Sequence, residues 1–390
     1  MEVIVKEGEV MKSIYMDHAA TTPLYPEVLE AMIPYLAEHF GNPSSIHQFG
    51  RKSRHALDEA RNVIAHSIQA RQEEIVLTSG GTEADNLAIF GYVHKHRQKG
   101  NHIITTTIEH HAVLHACKQL EHQGFDVSYV PVNEKGQVSV EDVKRFVRED
   151  TIFATIMYGN NEVGTLQPII ELGEFFREKG IGFHTDAVQA FGMIDLDMNS
   201  LPVDFLSISA HKINGPKGIG CLYIRNGTHI APYLHGGEQE RKRRAGTENV
   251  AGIVGFAKAC GIATSNIETK RNEYEAYRSR MLAIFNESNM EFVVNGDLSN
   301  SLPHILNVSF PGISVESLLV NLDLAGIAVS SGSACTAGSI DPSHVLVAMF
   351  GNDDRTKSAI RYSFGMGNEM EDVEYVATKT IEIVNRIKAL

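Results

Sequence analysis

The 390-residue sequence predicts an α/β fold in two domains: a large one built on a mostly parallel sheet, then a smaller α+β one. Three observations carry that expectation. Short apolar runs alternate with helix-like patterns through the first two thirds of the chain, as strands joined by crossover helices do. From 249 to 290 the pattern becomes helical and charged, as in Lys270 to Tyr277, which marks a connecting helix into the second unit. The length suffices for about two domains with substantial cores. The boundary is expected near Ala263, with 22–263 forming the large domain and 264–390, together with 1–21, the small one.

The elements follow in order. The first strand-like run, 74–78, leads into Ser79-Gly80-Gly81-Thr82-Glu83-Ala84-Asp85-Asn86 and the apolar helix start Leu87 to Phe90. Glycines at such a turn let backbone amides face outward, and a helix N-terminus favours an anion, so a phosphate can dock at Gly81 and Thr82. A polar-capped turn is the plainer reading. The next runs are 102–106, followed by Ile108-Glu109-His110-His111, and 127–130. An imidazole at a strand end is placed to stack on a ring or move protons, although a surface pair is the ordinary case. Run 152–157 leads into Tyr158-Gly159-Asn160-Asn161, whose amide side chains suit a ring hydroxyl or a substrate carboxylate. Further strands are expected near Phe183, Phe205 and Leu222, and a helix over 372–388 closes the small domain. No internal repeat interrupts the pattern.

Composition narrows the function. With 35 Lys and Arg against 48 Asp and Glu, the formal charge is −13, which argues against a general nucleic-acid surface. The first ten residues are acidic and their apolar run is too short for a signal peptide or a span, so the cytoplasm is expected and no membrane association. The four cysteines, 117, 221, 260 and 335, have no metal-ligand spacing, and neither a metal nor a disulfide framework is indicated. Cys117, Cys221 and Cys260 lie in helix- or strand-like runs and read as small buried hydrophobes. Cys335 instead sits among small and polar residues, Ser330 to Ser339.

One lysine stands out. Lys212 lies in Ser209-Ala210-His211-Lys212-Ile213-Asn214-Gly215, where a hydroxyl, an imidazole and a tight turn can desolvate an amine enough to form a Schiff base with an aldehyde. Asp186 lies 212 − 186 = 26 residues upstream at the end of the run 181–186, suited to keep a pyridine nitrogen protonated. Alone, each has a plainer reading, a surface pair and a strand-end cap. Polar residues at five strand ends, Thr82, His110, Asn161, Asp186 and Lys212, are not what core building produces, and ligands in open α/β sheets bind at those ends.

With that set in place the sequence resembles the fold-type-I pyridoxal-phosphate enzymes of the class-V aminotransferase family, specifically the cysteine desulfurases of the NifS/IscS type. The resemblance runs from Tyr15-Met16-Asp17-His18-Ala19-Ala20-Thr21-Thr22-Pro23 to the last helix and includes Phe40 to His47, Gly236 to Arg241, Arg244-Ala245-Gly246-Thr247 and the cysteine loop. It implies a large domain with a mostly parallel seven-stranded sheet and pyridoxal 5'-phosphate as cofactor. Lys212 would carry it as a Schiff base, Asp186 would pair with the pyridine nitrogen, Gln189 would bond the ring oxygen, and His110 would stack on the ring and assist proton transfer. Gly81, Thr82, Ser209 and His211 would hold the phosphate, joined by Thr247 from the neighbouring subunit of a homodimer. Asn161 and Arg361 would bind the carboxylate of L-cysteine, the planar Arg fork suiting that task. Cys335 would take the sulfur as a persulfide, with alanine as product, and deliver it to a protein acceptor in iron-sulfur cluster assembly or tRNA thiolation.

Two departures and two rivals accompany the resemblance. Lys242 stands where related sequences commonly have glycine, making Arg241-Lys242-Arg243-Arg244 strongly basic; a phosphate-side or dimer-rim cluster is the plainer reading, an acceptor- or tRNA-facing patch the sharper one. The chain stops just after its last helix, where many relatives carry a scaffold-docking tail. An aminotransferase has no need of Cys335, and a non-catalytic sulfur carrier has no need of Lys212 and Asp186; selenocysteine against cysteine stays open. Glycine and serine around Cys335 predict a mobile loop, and five extended residues from Ser330 at roughly 3.4 Å each would let the thiol swing about 17 Å.

Overall fold

The computed structural model describes residues 4–6, 9–331 and 342–389, with side chains from Lys12 onward. Its centre is a seven-stranded sheet made of β1 (Ile75–Thr78), β2 (His102–Thr106), β3 (Asp126–Val130), β4 (Thr151–Thr155), β5 (Gly182–Asp186), β6 (Phe205–Ser209) and β7 (Gly220–Ile224). The spatial order is β1-β7-β6-β5-β4-β2-β3. Neighbours are parallel except at β7, which runs antiparallel to both β1 and β6. All seven strands are those the apolar runs predict.

Side chains on successive strand residues leave by opposite faces, and both faces are covered. On β1, Ile75 and Leu77 enter the main core while Val76 enters a second one; on β7, Cys221 and Tyr223 take the first side and Leu222 and Ile224 the other. Helix Gly81–His96 is buried in an unbroken apolar run from Leu87 to Val93. A helix apolar all round belongs inside, which is where it lies.

The segment expected to form the small domain holds an antiparallel three-stranded sheet of Val293–Asn295, Ile305–Ser309 and Ala359–Ser363. The expected single connecting helix is two, Val250–Ser265 and Ile267–Glu287, which meet at an angle of 70°. The chain changes direction between them at Asn266. Strand Ile14–Tyr15 pairs in parallel with Ile327–Ala328, and Asp17 bridges to Ser363. The N-terminal segment thus crosses from the small sheet to the carboxyl ends of the large one. Helix Met370–Lys388 closes the fold with a capping box at Glu369 and Asp372.

Candidate active site

A cavity of about 340 Å³ opens at those carboxyl ends, in the size range of small-molecule sites. Its lining includes ten of the residues singled out in the sequence: Gly81, Thr82, His110, Asn161, Asp186, Gln189, Ser209, His211, Lys212 and Arg361. Chain positions more than 270 residues apart, from Gly81 to Arg361, converge there. Ala19, Ala20, Asp85, Met157, Gly159 and Val188 complete the lining.

The cradle for an anion is backbone-made. Gly80 has φ +148°, open to glycine alone, and it directs the chain into helix Gly81–His96. A Cβ on Gly81 would meet Val188 Cγ2 at 2.9 Å, so a side chain there would fill the space. Gly81 and Thr82 at the helix N-terminus share the cavity lining with Ser209 and His211, a set of donors that suits an anion.

Lys212 lies in the short turn Ala210–Lys212 directly after β6. Its Nζ donates to the carbonyl oxygens of Ala19 (2.5 Å) and Ala20 (2.8 Å). Burial, and then the Arg361 charge, push the amine down to about 8 from its ordinary 10.5, against the opposing pull of Asp186 and Asp17. The stretch that receives it is itself stitched down: Thr22 N and Oγ1 donate to the His211 carbonyl, and Asn214 N donates to Thr22 Oγ1. His211 Nδ1 lies 3.1 Å from Thr21 Oγ1, and burial lowers this ring to about 4, so it is neutral.

Asp186 ends β5 with one oxygen accepting from Val188 N at 2.9 Å. Burial pushes its carboxyl up, and His110 and Lys212 pull it back. A buried carboxyl with one oxygen held by Val188 N and raised by burial suits a protonated ring nitrogen, and the residues fit a phosphorylated pyridine aldehyde. His110 caps helix His111–His122, its Nδ1 accepting from Ala112 N at 3.1 Å. Burial lowers the ring, with Asp186 opposing, and because Nδ1 accepts from Ala112 N a single ring proton would sit on Nε2. Gln189 donates from Nε2 to Ala19 O at 2.9 Å.

Arg361, on the strand Ala359–Ser363, is buried and held on two sides: Nη2 to Asp17 Oδ1 at 2.7 Å and Nη1 to the Asn161 carbonyl at 2.9 Å. Asp17, Ala19, Ala20 and Asp85 were not singled out by sequence. Two of them act through backbone carbonyls, which no side-chain pattern announces. The expected amide pair divides. Asn161 lines the cavity, whereas Asn160 is fully buried, donating to Ile108 O and accepting from Glu162 N and Val163 N, so it holds the turn.

Thr247 is exposed and absent from the lining of this chain's own cavity. Its neighbour Arg244 is anchored on Glu83 in the first turn of helix Gly81–His96, at 2.7 Å. The basic run is largely engaged with its own chain, Lys242 with Glu238 at 3.0 Å and Arg243 with the Glu73 carbonyl at 3.0 Å. Three successive residues, Glu240, Arg241 and Lys242, have positive φ (47°, 57°, 68°), and the buried Glu240 carboxylate clamped by Arg61 secures them. Lys242 at +68° explains why glycine suits that position.

Cys117, Cys221 and Cys260 are buried, and burial raises all three thiols, Cys221 to about 12. None is a ready nucleophile. Cys335 and the predicted swing fall on residues 332–341, outside the described residues. Among the described residues, no three His, Cys, Asp or Glu side chains group as a metal site, and no single helix is long and apolar enough to cross a membrane.

Comparison with known proteins agrees with this geometry. The family model for class-V aminotransferases matches residues 14–376. IscS 1 of Bacillus subtilis (strain 168), a provisionally named cysteine desulfurase, is 55% identical over 97% of this chain and 100% of its own. The cysteine desulfurase IscS of Methanosarcina thermophila is 49% identical over 97% of this chain and 93% of its own. Among solved structures, a NifS-like protein superimposes with TM-score 0.90 at 38% identity, covering 96% of this chain and all of that one. The chain belongs to the class-V aminotransferase family, among its pyridoxal-phosphate-dependent cysteine desulfurases of the NifS/IscS type.

Proposed function

We propose that this chain takes sulfur from L-cysteine onto Cys335 as a persulfide, releases L-alanine, and passes the sulfur to a protein acceptor. The observation that carries this reading is the convergence of a depressed lysine amine, a buried carboxyl and a held arginine in one cavity with a glycine-made anion cradle. Pyridoxal phosphate, when bound, supplies the electron sink for charge developing at the substrate α-carbon. Asn161 and Arg361 orient the substrate carboxylate. Lys212 Nζ, depressed to about 8, would hold the cofactor aldehyde at rest and, as a free amine, would take and return the substrate α-proton. The Cys335 thiolate attacks the substrate sulfur: a sulfur–sulfur bond forms, the carbon–sulfur bond breaks, and its electron pair stays with the carbon that becomes the alanine methyl. His110, whose Nδ1 accepts the Ala112 amide, would stack on the cofactor ring and assist proton transfer.

A homodimer is part of the reading. Exposed apolar side chains gather on the first two helices and their connection, among them Leu36 (64% exposed), Phe40 (76%) and Ile46 (91%), with Phe40 stacked on Phe49. A second copy is the occupant we propose for that face, with its exposed Thr247 completing the phosphate contacts as the family resemblance implies. For the acceptor, a cluster scaffold or a tRNA-thiolating enzyme fits the same persulfide chemistry. A solved relative, SspA in complex with cysteine, is 37% identical with TM-score 0.80, which supports the substrate.

The test is direct. Purified holoenzyme given L-cysteine and a thiol reductant should release alanine and sulfide in equal amounts with no keto-acid co-substrate. Mercaptopyruvate, formed only when a keto acid is added and together with that keto acid's amino acid, would mark an aminotransferase instead. Lys212→Ala should abolish product.

A further inference from the structure

Gln189 is oriented from behind by the other domain. Its amide is buried at the cavity wall, with Nε2 donating to Ala19 O at 2.9 Å and Oε1 3.3 Å from His304 Nε2. An amide keeps its shape when turned end for end, so only its partners decide which end points where. The Ala19 carbonyl only accepts and therefore takes the NH2 end. The Oε1 end only accepts as well, so His304 must donate to it from Nε2. One amide hydrogen is then spent on Ala19, and the second remains for the cavity.

His304 is built for that single task. It stands just before the small-domain strand Ile305–Ser309, 5% exposed, and its own carbonyl accepts from Phe364 N at 2.9 Å. Its Nδ1 is buried with no hydrogen-bond partner among the described residues, as a bare nitrogen of the Nε2-protonated tautomer would be. Burial first, then the neighbouring His18, Arg361, Lys212 and Lys270, lower the ring to about 3, so it carries one proton only. Of the groups that act on it, Arg361, Lys212 and Lys270 are cations with nothing to accept that proton, while the His18 ring is itself lowered to about 4 by burial and is neutral.

We propose that His304 is a positioning residue that fixes the Gln189 amide so that an N–H, rather than a carbonyl, faces the ring oxygen of the bound cofactor. The proposal rests on the reading that Gln189 contacts that oxygen. Donation to the oxygen stabilises its ionised form and lowers the pH at which the holoenzyme's visible absorbance titrates. A small-domain histidine thereby sets an electronic property of a cofactor held by the large domain.

The experiment compares wild type, His304→Leu, His304→Gln and Gln189→Leu as holoenzymes, reading the pH midpoint of the visible absorbance and the cofactor dissociation constant. His304→Leu should raise the midpoint by up to about one pH unit, the size of one weakened hydrogen bond to a charged oxygen. His304→Gln, which keeps an N–H donor, should restore most of it. A midpoint unchanged in His304→Leu while Gln189→Leu shifts would overturn the proposal, as would equal shifts in both His304 variants. No shift in Gln189→Leu would instead remove the reading beneath it. Should His304→Leu not fold, nitrogen-15 shifts of the His304 ring in wild type decide the matter: the Nε2-protonated tautomer is expected, and an Nδ1-protonated ring contradicts the proposal.

Discussion

The Lys212 amine should govern how fast the cofactor-free protein takes up pyridoxal phosphate. An amine at its ordinary 10.5 is free base in about one molecule in three thousand at pH 7, whereas at about 8 it is so in about one in ten, a gain of roughly 300-fold. Only the free base attacks an aldehyde, so the gain passes into the rate. Stopped-flow absorbance after mixing cofactor-free protein with pyridoxal phosphate should show a rate rising tenfold per pH unit below about 8 and flat above. A tenfold rise per unit continuing to pH 10 would refute the argument that burial and Arg361 depress this amine. Stability carries the same signature. The folded value lies below the unfolded one, so the unfolded chain binds the extra proton between about 8 and 10.5, and stability rises with pH through that window by up to about 3 kcal/mol. Cofactor-free Lys212→Met, which lacks the titration, should exceed wild type in thermal midpoint most at pH 7, with the advantage shrinking toward pH 10.

Two further changes follow from the same geometry. Arg361→Ala removes the charged partner of the substrate carboxylate and should raise KM for L-cysteine roughly 10- to 100-fold; an unchanged KM would mean another residue holds it. Lys242→Gly should stabilise the protein by about 1 kcal/mol, because φ +68° costs a side chain what glycine avoids, and a lowered thermal midpoint would contradict that account of the loop.

The parts of this molecule legible in the sequence are those with local causes. The seven strands of the large sheet were legible as short, mostly buried β-prone runs, the edge strand Asp126–Val130 being the more exposed exception, and the runs with stated bounds shift by only a residue or two at their ends. Site side chains at strand ends were legible as polar residues with no core to build. What was not legible is long-range. The carbonyls of Ala19 and Ala20 reach Lys212 across 193 and 192 residues, and Asp17 reaches Arg361 across 344. Asn160 and Asn161 look alike in sequence, and only the turn tells which one faces inward. The break at Asn266 interrupts a helical pattern without glycine or proline, so periodicity alone ran through it.

The account stands most directly on where the sulfur goes. Holoenzyme treated with L-cysteine, quenched by alkylation without reductant and digested, should show one added sulfur atom on the peptide carrying Cys335 by mass spectrometry, formed together with alanine and lost in Cys335→Ser while cofactor absorbance persists. The same added sulfur on Cys117, Cys221 or Cys260, or alanine formed at full rate by Cys335→Ser, would contradict it.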